Sequence, residues 1–187
     1  VYELVKTGSS FDKAHPLKLP KYGNLYNFNI ISGTRGDLNF LVISSDGTLF
    51  VYSQDRQKLW QSKEKFGGSE TYFQREDYTN TRITGESFRW VFTEQRIYVS
   101  SKGDIIIPQN AGFWSVGNNR SYSKNTVYGF GWNGSTLYKK WHTNESQNYL
   151  ADYIFDDAKK DLIALEVVDK PGILEKGASA VSIRNIE

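Results

Sequence analysis

Between Tyr26 and Ser62 the chain reads YNFNIISGTRGDLNFLVISSDGTLFVYSQDRQKLWQS, short apolar runs punctuated by Asp, Gly and Asn. In order this is strand, polar loop, strand, turn, strand, turn, strand. Tyr26–Ile31 leads to the loop Gly33-Thr34-Arg35-Gly36-Asp37. Then come Asn39–Ser44, a turn at Asp46-Gly47, Thr48–Ser53, a turn around Asp55–Gln57, and Lys58–Ser62. Asp-Gly between apolar runs marks a hairpin, because a tight primed turn needs positive φ. Four short antiparallel strands make one small sheet, and such a sheet cannot bury both faces alone. The pattern demands neighbours.

Two looser echoes supply them. Residues 95–143 give Gln95–Ser100, the loop Ser101-Lys102-Gly103-Asp104, Ile105–Asn110, a polar insertion from Ala111 to Asn125, Thr126–Trp132, a turn at Asn133-Gly134, and Thr136–Thr143. Residues 149–185 give Tyr149–Phe155, a loop from Asp156 to Lys160, Asp161–Val168, an insertion around Pro171 and Gly172, and Ala178–Ile183, with no fourth strand. Stacked sheets of this kind predict an all-β, β-propeller-like array of four-stranded antiparallel blades, about four in number or part of a larger propeller. The expected organisation is a single domain over 1–187, with blades near 26–62, 95–143 and 149–185. Residues 1–20 are expected to give the terminal strands of a further or shared blade, Val1–Lys6 and Phe11–Leu19. Closure by pairing Val1–Lys6 with Ala178–Ile183 is the simplest expectation, since an open blade leaves an unpaired edge.

The order of strand, Asp-containing loop, strand, Asp-Gly turn, Val-Tyr or Val-Phe, and Leu-Trp resembles the FG-GAP or VCBS-repeat propellers related to the integrin α-subunit head. The stretches GDLNFLVISSDGTLFVYSQDRQKLWQS, FGGSETYF, QRIYVSSKGDIIIPQN, VYGFGWNGSTLYKKW and YLADYIFDDAKKDLIAL resemble one bacterial subgroup. In that subgroup the propeller follows an N-terminal domain resembling TolB or FlgO. The resemblance implies an exported protein of the periplasm, outer-membrane surface or extracellular space, and implies no enzymatic activity. Relatives carry D-x-D-G-D-G in the first loop of each blade, a spacing suited to oxygen ligation of Ca²⁺. Here the loops read SGTRGD, SSKGD and FDDAKKD, so most of those carboxylates are absent.

Composition narrows the function classes. A net charge of +2, evenly mixed, argues against nucleic acid or an anionic membrane surface as partner. No run approaches the roughly 20 apolar residues of a membrane span. With no cysteine, disulfides and thiolate metal sites are excluded. With no methionine at position 1, a processed, truncated or engineered N-terminus is expected.

Catalytic constellations are sparse. The two histidines, His15 and His142, stand in unrelated stretches, and no G-x-S-x-G elbow, phosphate loop or dinucleotide fingerprint is present. No cofactor is expected apart from a degenerate Ca²⁺ site. Asp156, Asp157 and Asp161 are its candidate ligands, where relatives hold the ion. A hard cation wants about six to eight oxygens, whereas this loop offers three carboxylates beside Lys159 and Lys160. A solvated hairpin loop whose aspartates bond their own amides is the favoured expectation.

The aromatics point further. Trp60 and Trp141 stand at corresponding places, in KLWQS and KKWHT, and are expected to pack adjacent blades. Tyr72, Phe73, Trp90, Phe113 and Trp114 fall between blades in Tyr- and Thr-rich polar stretches, and are the candidate binding-surface residues. Such rings suit protein contact or sugar stacking. Asn119, Asn133 and Asn144 head N-x-S/T sequons but are expected to be ordinary turn residues. The expected function is a non-catalytic envelope or cell-surface scaffold that binds a protein partner or the missing part of its own propeller. A carbohydrate-binding or carbohydrate-processing module using the inter-blade aromatics is one alternative; a structural subunit of a split propeller is another.

Overall fold

The alternating apolar runs form strands throughout. The computed structural model describes residues 1–33, 36–76, 88–116, 119–170 and 176–186, and those residues are all-β, with no helix among them. None, therefore, forms a helix able to cross a membrane. An N-terminal hairpin pairs β1 (Tyr2–Thr7) with β2 (Ser10–Pro16). The first large sheet runs β3 (Phe28–Ser32), β4 (Leu38–Ile43), β5 (Thr48–Tyr52) and β6 (Lys58–Lys65) in simple meander order. A hairpin of β7 (Tyr72–Glu76) and β8 (Phe88–Phe92) follows. Next come β9 (Tyr98–Val99), β10 (Ile105–Ala111), the small hairpin β11 (Trp114–Val116) and β12 (Asn119–Ser121), then β13 (Lys124–Trp132) and β14 (Leu137–His142). The second large sheet has the order β14-β13-β10-β9. A third sheet joins β15 (Tyr149–Asp156), β16 (Asp161–Asp169) and β17 (Ala178–Asn185).

The turns differ in type from the primed pair that Asp46-Gly47 suggests. Ser44 and Thr48 close a three-residue loop in which Gly47 N–H donates to Ser44 O at 2.8 Å, and only Gly47, at φ 83°, enters the left-handed region. This is a type I turn followed by a left-handed residue, the usual three-residue hairpin connection. The same bond pattern recurs at Ser53–Gln57, with Arg56 at φ 65°, and at Ser100–Asp104, with Gly103 at φ 80°. A turn of one geometry therefore closes the β4–β5 and β5–β6 hairpins of the first sheet and the β9–β10 hairpin of the second.

Alternation along the strands then sorts side chains between layers. Leu41, Ile43, Leu49 and Val51 from the first sheet meet Ile105, Ile107, Phe130 and Leu137 from the second, with Phe66 and Ile97 between them. On the second sheet's other face, Ile106 and Val127 meet Leu150, Tyr153, Phe155, Leu162 and Ala164 of the third. The other face of the first sheet carries Phe40, Val42, Phe50 and Tyr52 with Phe28 and Ile30 of β3 beside them, and Leu17 and Leu19, from the segment after β2, pack onto it. Burying each such side chain contributes about 1.5–3 kcal/mol. Trp60 packs against the first interface and Trp141 against the second.

Apolar contact alone leaves sheets free to slide, and buried amides fix their registration. Asn110, 7% exposed, accepts a 3.0 Å bond from Leu150 N–H and donates to Leu150 O at 3.0 Å and Gly68 O at 2.8 Å. Gln95 also donates to Leu150 O at 2.9 Å, and the Tyr153 hydroxyl lies 2.8 Å from both Arg96 O and Ile106 O. Asn29 donates to Ile97 O at 2.7 Å, tying the first sheet to the segment that enters the second.

Three features depart from the sequence pattern. Val1–Lys6 does not pair with Ala178–Ile183: β1 spends its pairing on β2, and β17 pairs with β16 alone. The stretch from Tyr72 to Phe92, expected to be a polar loop, contains a hairpin, because Tyr72, Trp90 and Phe92 form an aromatic ladder across it. The insertion after Ala111 likewise contains the β11–β12 hairpin. No closed propeller is formed by the described residues.

Gly129 sits opposite Trp141 at a bulge in the second sheet, and a Cβ there would fall 2.2 Å from the indole. An aromatic ring laid over a cross-strand glycine is a recognised way of pinning register. Gly129→Ala should therefore lower the unfolding free energy by about 1–3 kcal/mol in urea titrations. An unchanged midpoint would show that the ring is not held there.

Candidate functional site

Two of the candidate aromatics, Trp90 and Phe113, border neighbouring hollows, and Tyr72 packs on Trp90. Trp90 lies on Tyr72 with ring centroids 4.0 Å apart, and Phe73 packs against Tyr26 at 5.7 Å. Phe113, 57% exposed, leans on Tyr122 at 5.3 Å. Trp114 is positioned by its backbone in β11 opposite Ser121; its side chain lies outside the described residues.

Trp90 and Phe113 line two adjoining hollows of about 290 and 300 Å³. Phe66, Tyr122 and Phe113 wall one, while Tyr22, Trp90 and Phe92 wall the other. Ser45, Glu94 and Arg120 border both, so the two hollows adjoin, as a cleft of two parts with an ion pair between them. The Glu94 side chain is only 6% exposed, with Oε1 3.6 Å from Arg120 Nη1. Its Oε2 accepts a 3.3 Å bond from Gly68 N–H. The Arg120 guanidinium carbon lies 3.8 Å from the centre of the Phe92 ring, a cation–π contact.

Local sequence explains how the pair is brought together. Gly67 and Gly68 both have positive φ, and Gly67 bridges to Gln109 of β10, with Gly67 N–H bonded to Pro108 O at 2.7 Å. The segment thus runs along the second sheet and aims Gly68 N–H into the cleft. A Cβ on Gly68 would meet the Tyr122 ring at 2.9 Å, so only glycine fits. The segment following the β11–β12 hairpin, which presents Arg120, is held by Glu70, which accepts from Tyr122 N–H at 2.7 Å, and by Lys170, which pairs with Glu70. Nothing in the spacing of Glu94, Arg120 and Tyr122 marks them out in the sequence. Only the Gly67-Gly68 pair hints at a close approach.

The aspartate loop is arranged differently. Asp156 Oδ1 accepts from the N–H groups of Ala158 and Lys159 at 2.9 and 3.1 Å. Asp157 Oδ2 turns to Ser101 N–H and the Tyr98 hydroxyl, and Asp161 Oδ1 accepts from Asn185. The bond to Ser101 N–H, chiefly, holds the Asp157 carboxyl below its ordinary range. Each carboxylate serves its own protein donor, so the structure does not bring Asp156, Asp157 and Asp161 together as one oxygen set. Among the described residues no group of three His, Cys, Asp or Glu side chains is placed to hold a metal ion. The histidines are apart as well: His15 Nδ1 lies 2.7 Å from Glu3, and His142 Nδ1 lies 3.0 Å from Thr143 O.

A second surface stands out on the third sheet. Its inner face is buried, but its outer face carries Ile154, Ile163 and Ile183 in one cross-strand row, with Leu165 and Val181 in the next. Ile154, Val181 and Ile183 are 57%, 66% and 67% exposed. No protein-family model matches the chain, and no curated protein matches its sequence.

Burial pushes the Glu94 carboxyl above its ordinary value of 4.5, opposed in part by Arg120 and the Gly68 N–H. The folded protein then holds this proton more tightly than the unfolded chain. Its contribution to stability is greatest below 4.5 and is lost as pH rises through the raised value. Glu94→Gln has no such titration. The wild-type unfolding free energy minus that of Glu94→Gln should therefore fall between about pH 4 and about pH 8 in denaturant titrations. A difference that is flat or rises would contradict this.

Proposed function

We propose that this chain is a non-catalytic β-sheet scaffold that docks a protein partner on the third sheet. The observation that carries this reading is the contrast between sheets. Among the described residues the first and second have four strands, and Leu17 and Leu19 pack on the first sheet's outer face; the third has three strands and an apolar outer face in water. Edge strands in monomeric proteins are usually blunted by charge or proline. β17 reads ASAVSIRN, and its one charged residue, Arg184, is turned to Glu166 at 3.3 Å, leaving the edge plain. An incoming strand would pair with β17 and complete a four-stranded sheet, while its neighbours cover the isoleucine row.

Face-to-face stacking of antiparallel sheets of four, four and three strands, with Trp60 and Trp141 at successive interfaces, supports a propeller segment of the FG-GAP or VCBS type. With that resemblance goes the reading of an exported protein acting in the periplasm, on the outer-membrane surface or outside the cell. The partner is then a further β-sheet, from the same propeller or from a second chain.

In purified protein the available partner sheet is another copy. Sedimentation velocity should show concentration-dependent association, abolished in Val181→Lys/Ile183→Lys without a change in melting temperature. A wild-type chain that stays monomeric at every concentration, or a double variant that associates equally, would overturn the reading.

A further inference from the structure

The cleft at Glu94 and Arg120 includes none of the residues of the third sheet's outer face, and docking on that face does not use it. Its chemistry is specific. A carboxylate with a 6% exposed side chain offers about four acceptor positions. Among the described residues it receives one 3.3 Å backbone bond and an ion pair at 3.6 Å, longer than a good charge-assisted hydrogen bond. Arg120 is 24% exposed at the side chain, lies over Phe92 and lines both hollows. Acceptor capacity of Glu94 and donor capacity of Arg120, which also reaches the Tyr122 side chain, therefore stand side by side between two aromatic-walled hollows.

That arrangement discriminates between ligands. An anion drawn to Arg120 would sit against Glu94, and a cation drawn to Glu94 would sit against Arg120. Either would also leave one member of a desolvated pair uncompensated, which is costly. A neutral ligand with adjacent hydroxyls meets neither penalty: one hydroxyl donates to Glu94 and its neighbour accepts from Arg120. The walls ask for a ligand with apolar faces as well, because Phe113 borders one hollow and Trp90 the other. Each hollow, near 300 Å³, is at the small end of ligand sites. Uncharged pyranose rings combine these properties, with C–H faces that lie on aromatic rings and vicinal hydroxyls at the edge.

We propose that this cleft is a binding site for a neutral oligosaccharide, two adjoining sugar rings occupying the two hollows with their hydroxyls bridging Glu94 and Arg120. No bond is broken there. Asp46, the other carboxylate at the cleft, is engaged by Lys65 and Ser44, each at 2.5 Å, and by the Thr48 hydroxyl at 3.1 Å.

The test is titration calorimetry of the intact chain with cellobiose, maltose and N,N′-diacetylchitobiose, with sialyllactose as the anionic counterpart, backed by a glycan array. At least one neutral sugar should bind, with sialyllactose weaker. Glu94→Gln should weaken binding about tenfold or more while retaining the wild-type circular dichroism spectrum. Should that variant fail to fold, Phe113→Ala serves instead, because the ring is exposed and its removal leaves the core intact. It should also lose at least several-fold in affinity. Absence of binding by every neutral sugar on the array, tighter binding of sialyllactose, or affinity unchanged in the folded variants would each overturn the proposal.

Discussion

The side-chain amide of Asn110 treats Leu150 as a neighbouring strand would, accepting from its N–H and donating to its C=O. Much of the molecule's arrangement depends on this contact. Sheets satisfy their own backbone groups internally, so two sheets meeting face to face have only apolar contact, which is non-directional. A buried amide that bonds the next sheet's main chain supplies direction. It also makes sliding expensive, because displacement would leave a buried donor and acceptor unpaired at about 1–3 kcal/mol each. Gln95 adds a second side-chain donor to the same Leu150 carbonyl, and Asn29 and the Tyr153 hydroxyl repeat the device at other points.

Both surfaces of functional interest follow from that registration. Asn110 also donates to Gly68 O, anchoring the Gly67-Gly68 segment whose N–H reaches Glu94. The cleft is thus built on the same hydrogen-bond cluster that locks the second sheet to the third. The open outer face of the third sheet arises because stacking is one-dimensional. Each sheet covers one face of the next, and the terminal sheet keeps one face in water unless a partner supplies a layer.

Much of the strand plan was legible, because period-two alternation and Gly or Asn-Gly turns are local signals. Leu38–Ile43, Thr48–Tyr52 and Asp161–Asp169 lie within a residue of the positions expected from pattern alone. The failures were non-local. The β7–β8 hairpin carries polar Gln74, Arg75 and Glu76 between its rings and owes its pairing to cross-strand aromatics that no single stretch displays. The pairing of Val1–Lys6 with Ala178–Ile183 was argued from closure, yet β1 finds its partner across the Gly8-Ser9 turn, a far shorter loop to close. Within the site, Trp90 and Phe113 were legible as rings in polar surroundings. Glu94 and Arg120 were not, since their meeting depends on the path of the Gly67-Gly68 segment and of the hairpin held by Glu70 and Lys170.

The central claim, that buried amides couple the sheets into one cooperative stack, is tested most directly by native-state hydrogen exchange in Asn110→Leu against wild type. In the wild-type protein the amides of Leu41, Ile106 and Leu162 should open with one common free energy, that of global unfolding. In the variant, Leu162 and its third-sheet neighbours should exchange through a lower-energy opening while Leu41 retains the global value. Third-sheet amides that stay coupled to those of the first sheet in the variant would contradict the account.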